Sequence, residues 1–191
     1  MVDVQRQRSY TVEWRFISLA VLNENLTAEW YTPDYRRGHV AGLECLRVAD
    51  AVRLAEGNEA VGRVHTALGT GMHVEQRRDE MRADARGFIS AMLARVGLDA
   101  AYADHWEDES HDAHIRAETA LALERTGKDV GTPIITFHPG RPNENSFFGP
   151  VIAQAPKGEA AVKLWDAIEL VATTSGMAEL KRSLRSRPVF D

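Results

Sequence analysis

Cysteine is almost missing from this chain: Cys45 is the single thiol among 191 residues. One cysteine excludes an internal disulfide framework and a thiolate zinc site. A surplus of positive charge is also lacking, since 23 Lys and Arg face 28 Asp and Glu for a net charge of −5. No field of that sign favours nucleic acid or an anionic membrane surface. Long apolar runs are absent too. The richest, Phe16 to Leu22, is far too short to cross a bilayer, and Met1 to Arg6 holds no apolar signal-peptide core. The length suits one domain, or one domain with an insertion, around a substantial core. Together these absences predict a soluble, cytoplasmic protein with neither nucleic acid nor membrane as partner.

Proline is scarce, at seven residues, so its placement is informative. Pro133 ends the stretch Asp129-Val130-Gly131-Thr132-Pro133 and opens a short β-like run to Phe137. A proline has no N–H for a central ladder, which confines it to a strand's first residue, an edge or a bulge. Turn chemistry follows in His138-Pro139-Gly140-Arg141-Pro142-Asn143, and Ser146 to Val151 reads as the return strand of a hairpin. After Pro156-Lys157-Gly158, the residues Ala161, Leu164, Trp165, Ile168, Val171 and Ala172 fall at three- and four-residue steps, an amphipathic helix. A short final helix is expected over Met177 to Leu184. The basic cluster Lys181, Arg182, Arg185 and Arg187 reads as its solvated last turn.

Upstream, Tyr10 to Leu19 alternates, with Val12, Trp14 and Phe16 on one side and Glu13 and Arg15 on the other, as a strand does. Asn23-Glu24-Asn25 stops it. Residues 34–127 contain no convincing strand. Their spacing predicts a helix ending at Gly57, a second from Asn58 to Leu68, a third from Asp79 to Val96, a short one capped by Asp99, and a last one from Ser110 to Gly127. The element order is strand, helical block, hairpin, helix.

Few residues in this pattern carry chemistry by themselves. The run Asp104 to His114 holds His105, His111, His114 and several carboxylates. It reads as a solvated inter-helix turn with acids at a helix N-terminus, and no metal site is expected. His65 and His73 flank Gly69-Thr70-Gly71, which lacks both the Lys-Ser/Thr ending and the preceding strand of a phosphate loop. His73 is expected to stabilise a turn or line a pocket. Cys45 sits mid-helix beside Glu44, with no cation or helix N-terminus to stabilise a thiolate, and reads as a small buried hydrophobe. No strand–turn–helix nucleophile context occurs.

A strand, a helical insertion, a Gly-Thr-Pro hairpin and a closing amphipathic helix resemble a thioredoxin-like fold interrupted by a helical domain. The words are more specific than the order: Ser18-Leu19-Ala20-Val21-Leu22-Asn23-Glu24-Asn25, Asp129 to Pro133, Phe147-Phe148-Gly149-Pro150-Val151, Lys163-Leu164-Trp165-Asp166 and Glu179-Leu180-Lys181-Arg182. Together they resemble the mycothiol-dependent nitroreductase branch of the DsbA family, found in actinobacteria. The resemblance implies an α/β, thioredoxin-like domain from 1–33 and 128–191, lacking its first strand, with an all-helical insertion over 34–127.

It also implies a thiol–disulfide oxidoreductase with mycothiol as thiol cosubstrate, no flavin and no other bound cofactor. Its acceptors would be disulfide or nitroaromatic compounds. Gly131, Thr132 and Pro133 would form the cis-proline loop that pairs with the thiol substrate, with Asn23, Asn25 and His73 as further binding residues. The family's C-P-x-C motif would lie upstream of Met1. The expectation is therefore that the natural chain begins some two to three dozen residues earlier, and that the chain as written has no catalytic residue and is inactive in dithiol exchange. The alternative is a redox-inactive binding module that keeps the cis-proline groove; a plain dimerisation domain is a further option, and a homodimer is compatible with each.

Overall fold

The computed structural model describes residues 2–184 and 186–189. In chain order the helices are α1 (Val2–Gln7), α2 (Leu19–Leu22), α3 (Pro33–Glu56), α4 (Asn58–Gly69), α5 (Arg78–Ala83), α6 (Ala85–Arg95), α7 (Asp112–Thr126) and α8 (Gly158–Thr173). The strands are β1 (Ile134–Phe137) and β2 (Asn145–Phe148). A π-helical turn covers Thr70–Val74, and 3₁₀ segments cover Ala100–Glu107 and Glu109–His111. The chain forms two compact units, Glu13–Leu121 on one hand and Met1–Val12 with Ala122–Asp191 on the other. These boundaries differ from the 1–33, 34–127 and 128–191 segments expected above.

The Glu13–Leu121 unit is built on α3. Thr32 caps it by accepting the Tyr35 N–H, Pro33 supplies the preset first turn, and Gly57 ends it at φ 85°. Val48, Val52, Val64, Ile89, Met92, Leu93 and Ile115 are sealed from water around it. Each contributes about 1.5–3 kcal/mol relative to an exposed position. The single helix expected over Asp79 to Val96 is two helices. Asp84, at φ −149°, leaves the helical region and caps α6 by accepting the Gly87 N–H at 2.8 Å. Gly69 does not end α4 as a turn either: the chain winds on into the π-helical turn, where Gly71 packs against Met92 and Phe88 with no room for a Cβ.

The strand expected over Tyr10 to Leu19 does not form. Residues 10–18 run without a ladder, and 19–22 close into α2. The alternation still sorts the side chains: Phe16 is buried and Trp14 packs on the same core, while Glu13 and Arg15 are exposed. Among the described residues, however, no strand pairs with this segment. Side chains do that work. The Trp14 N–H donates to Asn58 Oδ1 and Asn58 Nδ2 donates back to the Trp14 carbonyl, both at 2.7 Å. The Ser18 N–H donates to Thr119 Oγ1 at 3.0 Å. Asn58 therefore serves the segment rather than capping α4 as its sequence position suggested, and α4 has no side-chain cap.

In the other unit, β1 and β2 form an antiparallel hairpin with Ile134 opposite Phe148 and Phe137 opposite Asn145. Both strands pack on α8. Trp165 of α8 meets Tyr10 and Phe137 at ring-centroid separations of 5.7 and 5.2 Å. Helix α1 also ties to α8: Asp3 accepts the Gly158 N–H at 2.8 Å, Gln7 reaches the Gly158 carbonyl and Arg8 pairs with Asp166. Gly149, at φ 109°, ends β2 earlier than expected. The final helix expected over Met177 to Leu184 is absent. Leu180 and Leu184 are 77% and 84% exposed, and a helix that short without a packed face is not stable in water. Instead the Val189 N–H donates to the Ala153 carbonyl. Arg185 of the basic cluster lies outside the described residues.

Candidate functional site

Gly131, Thr132 and Pro133 stand together directly before β1. The Thr132–Pro133 peptide is cis, as is Gly149–Pro150. The ladder reaches back to Pro133, whose carbonyl accepts the Gly149 N–H at 2.8 Å. Thr132 and Pro133 are exposed, and Thr132 takes no part in the hairpin pairing. A Cβ on Gly131 would meet the Phe148 ring at 3.5 Å, an ordinary contact. Thr132 and Pro133 thus lie at the open, solvent-facing start of the hairpin.

Asn23, Asn25 and His73 belong to the Glu13–Leu121 unit. Asn23 is the C-cap of α2 and spends its Nδ2 on the Leu19 carbonyl at 2.8 Å, a structural task. Asn25 is exposed in the following turn. A cavity of about 190 Å³ beside α2 is lined by Val21, Glu24, Tyr31 and Arg36 among others, and by neither asparagine. His73 sits in the π-helical turn with Nδ1 2.7 Å from Arg78 Nη2. Burial, then the neighbouring Arg78 and His65, hold its imidazole below the usual value, so the charged form is disfavoured.

Cys45 is 8% exposed, and burial, with Glu44 beside it, pushes its thiol up to about 12. It remains a protonated, inaccessible thiol at neutral pH.

The polar cluster that sequence reading missed is centred on Asp50, only 2% exposed in the middle of α3. Its Oδ2 lies 2.8 Å from His111 Nδ1, and its Oδ1 lies 2.8 Å from both His114 Nδ1 and Arg53 Nε. Burial works to raise the Asp50 carboxyl, but the His111 and Arg53 hydrogen bonds and the charges of Arg53 and His114 win and hold it below the usual range. From His114 the network continues to Glu118, 3.6 Å away, and on to Arg15, which grips both Glu118 oxygens. These groups border a cleft of about 490 Å³ lined by Trp14, Phe16, Arg53, Asn58, His114 and Glu118 among others. On the other side, His105, Asp108 and His111 gather with their ligand atoms all within 4.8 Å of one another. The signal available in the sequence was an aspartate amid Val48, Ala49, Ala51 and Val52, a helix stretch otherwise fit only for a core.

A family model described as "Rv2466c-like: Mycothiol-dependent nitroreductase Rv2466c" matches residues 1–182. The chain belongs to the Rv2466c-like family. It is also 29% identical over 182 residues to "Uncharacterized protein Rv2286c" of Mycobacterium tuberculosis (strain ATCC 25618 / H37Rv), a match that covers 94% of this chain and 72% of that relative. Among the described residues no helix is long and apolar enough to cross a membrane.

Proposed function

We propose that this chain takes part in mycothiol-dependent reduction of nitroaromatic or disulfide compounds, as a thioredoxin-like, DsbA-type protein whose loop 131–133 holds the thiol. The observation that carries this reading is the family match over residues 1–182. The loop adds local support: an exposed, unladdered residue before a strand is where an extended substrate can add backbone hydrogen bonds.

Thiol–disulfide exchange needs a thiolate that attacks one sulfur while the other leaves as thiolate. Cys45 cannot be that nucleophile, because it is buried and its thiol titrates near 12. What these residues contribute is the binding and orientation of the thiol. The buried lone cysteine also favours a second reading, a redox-inactive module that binds the same thiol in the same groove.

Calorimetric titration with mycothiol, beside a nitroaromatic reduction assay, tests both. Saturable mycothiol binding is expected, with glutathione as the control thiol. It should weaken at least about tenfold in Thr132→Trp at unchanged melting temperature, because Thr132 is exposed. Binding with mycothiol-driven turnover supports the enzyme; binding without turnover supports the module. No mycothiol binding sinks both.

A further inference from the structure

We propose that His105, Asp108 and His111 form a binding site for a divalent transition-metal ion, zinc being the best match, with Asp50 orienting His111. The three residues are spaced by three along a segment that winds as 3₁₀ helix, Ala100–Glu107 and Glu109–His111, on either side of Asp108. A 3₁₀ helix has three residues per turn, so side chains at i and i+3 eclipse. Asp108 itself is extended (φ −76°, ψ 97°), so the kink between the two short 3₁₀ pieces, rather than one continuous turn, brings the three side chains together.

The distances suit an ion. His105 Nδ1 lies 3.2 Å from His111 Nε2 and 3.3 Å from Asp108 Oδ2, and His111 Nε2 lies 3.7 Å from Asp108 Oδ2. An ion bound tetrahedrally at about 2.0–2.2 Å from nitrogen and oxygen donors holds those donors roughly 3.3–3.6 Å apart. Two imidazoles and a carboxylate are a donor set that zinc accepts, and three protein ligands leave the fourth position to water.

His111 is prepared for this role. It is 7% exposed, and its Nδ1 faces the Asp50 carboxylate at 2.8 Å. A carboxylate can only accept, so Nδ1 carries the proton and Nε2 presents its lone pair to the other two donors. This carboxylate–histidine–metal arrangement is what fixes tautomer and ring direction at metal centres. Asp50 is itself held by Arg53 and His114. The segment is pinned as well: Arg47 grips Asp112 at 2.7 and 2.8 Å and reaches the Trp106 carbonyl at 3.5 Å. The ion would fasten the 3₁₀ segment to α3 within the helical unit, independently of any thiol chemistry.

The test is a cobalt(II) titration of the chelator-treated full chain, read by visible absorption and followed by displacement with zinc. One equivalent should saturate, with the intense bands of four-coordinate cobalt, and zinc should bleach them. His105→Ala should weaken cobalt binding at least about tenfold, and Asp50→Asn about 10–100-fold, the range for removing an orienting carboxylate. His105 is 41% exposed at its side chain, so its removal leaves the core intact even if Asp50→Asn unfolds. His39→Ala, elsewhere on α3, should change nothing. No saturable uptake, or equal affinity in His105→Ala, would overturn the site and leave the three residues as a hydrogen-bonded cap.

Discussion

The two compact units treat charge in opposite ways. In the Glu13–Leu121 unit, Arg47, Asp50, His111, Ser18 and Thr119 are all buried, and each has its partner. In the other unit the core contacts are aromatic, Tyr10 and Phe137 against Trp165, and among the described residues no ion pair is fully buried: Arg125 and Glu144 are half-buried, at 26% and 30% exposure. Arg8 and Asp166 are 45% and 48% exposed, and Lys163 and Glu159 more so. A buried charge is tolerated only while fully paired, whereas an exposed pair gains little over water. The helical unit should therefore be brittle toward loss of one polar side chain, and the hairpin unit indifferent to it.

Asp50→Ala is the severest way to break that contrast. It strips His111 and Arg53 of their shared carboxylate, and a loss of about 3–5 kcal/mol is expected, measured by urea unfolding. Acid sharpens the same point. The folded-state value of Asp50 lies below that of the unfolded chain, about 3.9. The unfolded state thus takes up the proton first, and stability from Asp50 is complete above that value and lost as pH falls through the lower folded one. The stability gap between the natural chain and Asp50→Asn should narrow below about pH 4; a gap that stays flat from pH 6 to 2 would refute the assignment.

Asn58→Ala comes next. It removes both hydrogen bonds to Trp14, each contributing about 0.5–1.5 kcal/mol. A loss of about 1–3 kcal/mol is expected, with faster amide exchange at Trp14 as its local signature. The smallest effect belongs to Arg8→Ala in the hairpin unit, about 0.5 kcal/mol or less. A cost there rivalling Asp50→Ala would erase the distinction between the units.

The helical block was legible because apolar steps of three and four, with Gly57, Gly97 and Gly127 at the ends, are local signals. All three glycines adopt positive φ. The hairpin and α8 were legible for the same reason. What failed was anything that depends on a distant partner. The alternation of Val12, Trp14 and Phe16 described a buried face but not who would pair with it, and Asn58, 44 residues away, took that place. Leu180 and Leu184 had helical spacing and nothing to pack against. The Asp50 cluster was hidden most deeply, since Asp50 and His111 are 61 residues apart and only the fold makes them neighbours. His111 and His114 both reach Asp50, while the Nε2 of His111 faces His105 and Asp108. The extended Asp108 between two short 3₁₀ pieces sets this arrangement, and propensity does not announce it. The thioredoxin-like expectation rested on element order, strand, helical insertion, hairpin and helix, and the strand that opens that order is the element that does not form.

Asn58 fastens Trp14 by two opposed bonds, and Gly62, one turn further along α4, has no side chain where the Trp14 indole lies; a Cβ there would sit 2.6 Å from Nε1. Hook and notch are on one helix, and Thr119 holds the chain again at Ser18. Between those two fixed points the segment behaves as a ruler. Glu13, 57% exposed at its side chain, can be respelled, but adding or deleting one residue would carry the indole off its notch and turn Phe16 from core to water. Length, more than lettering, is what this stretch must preserve.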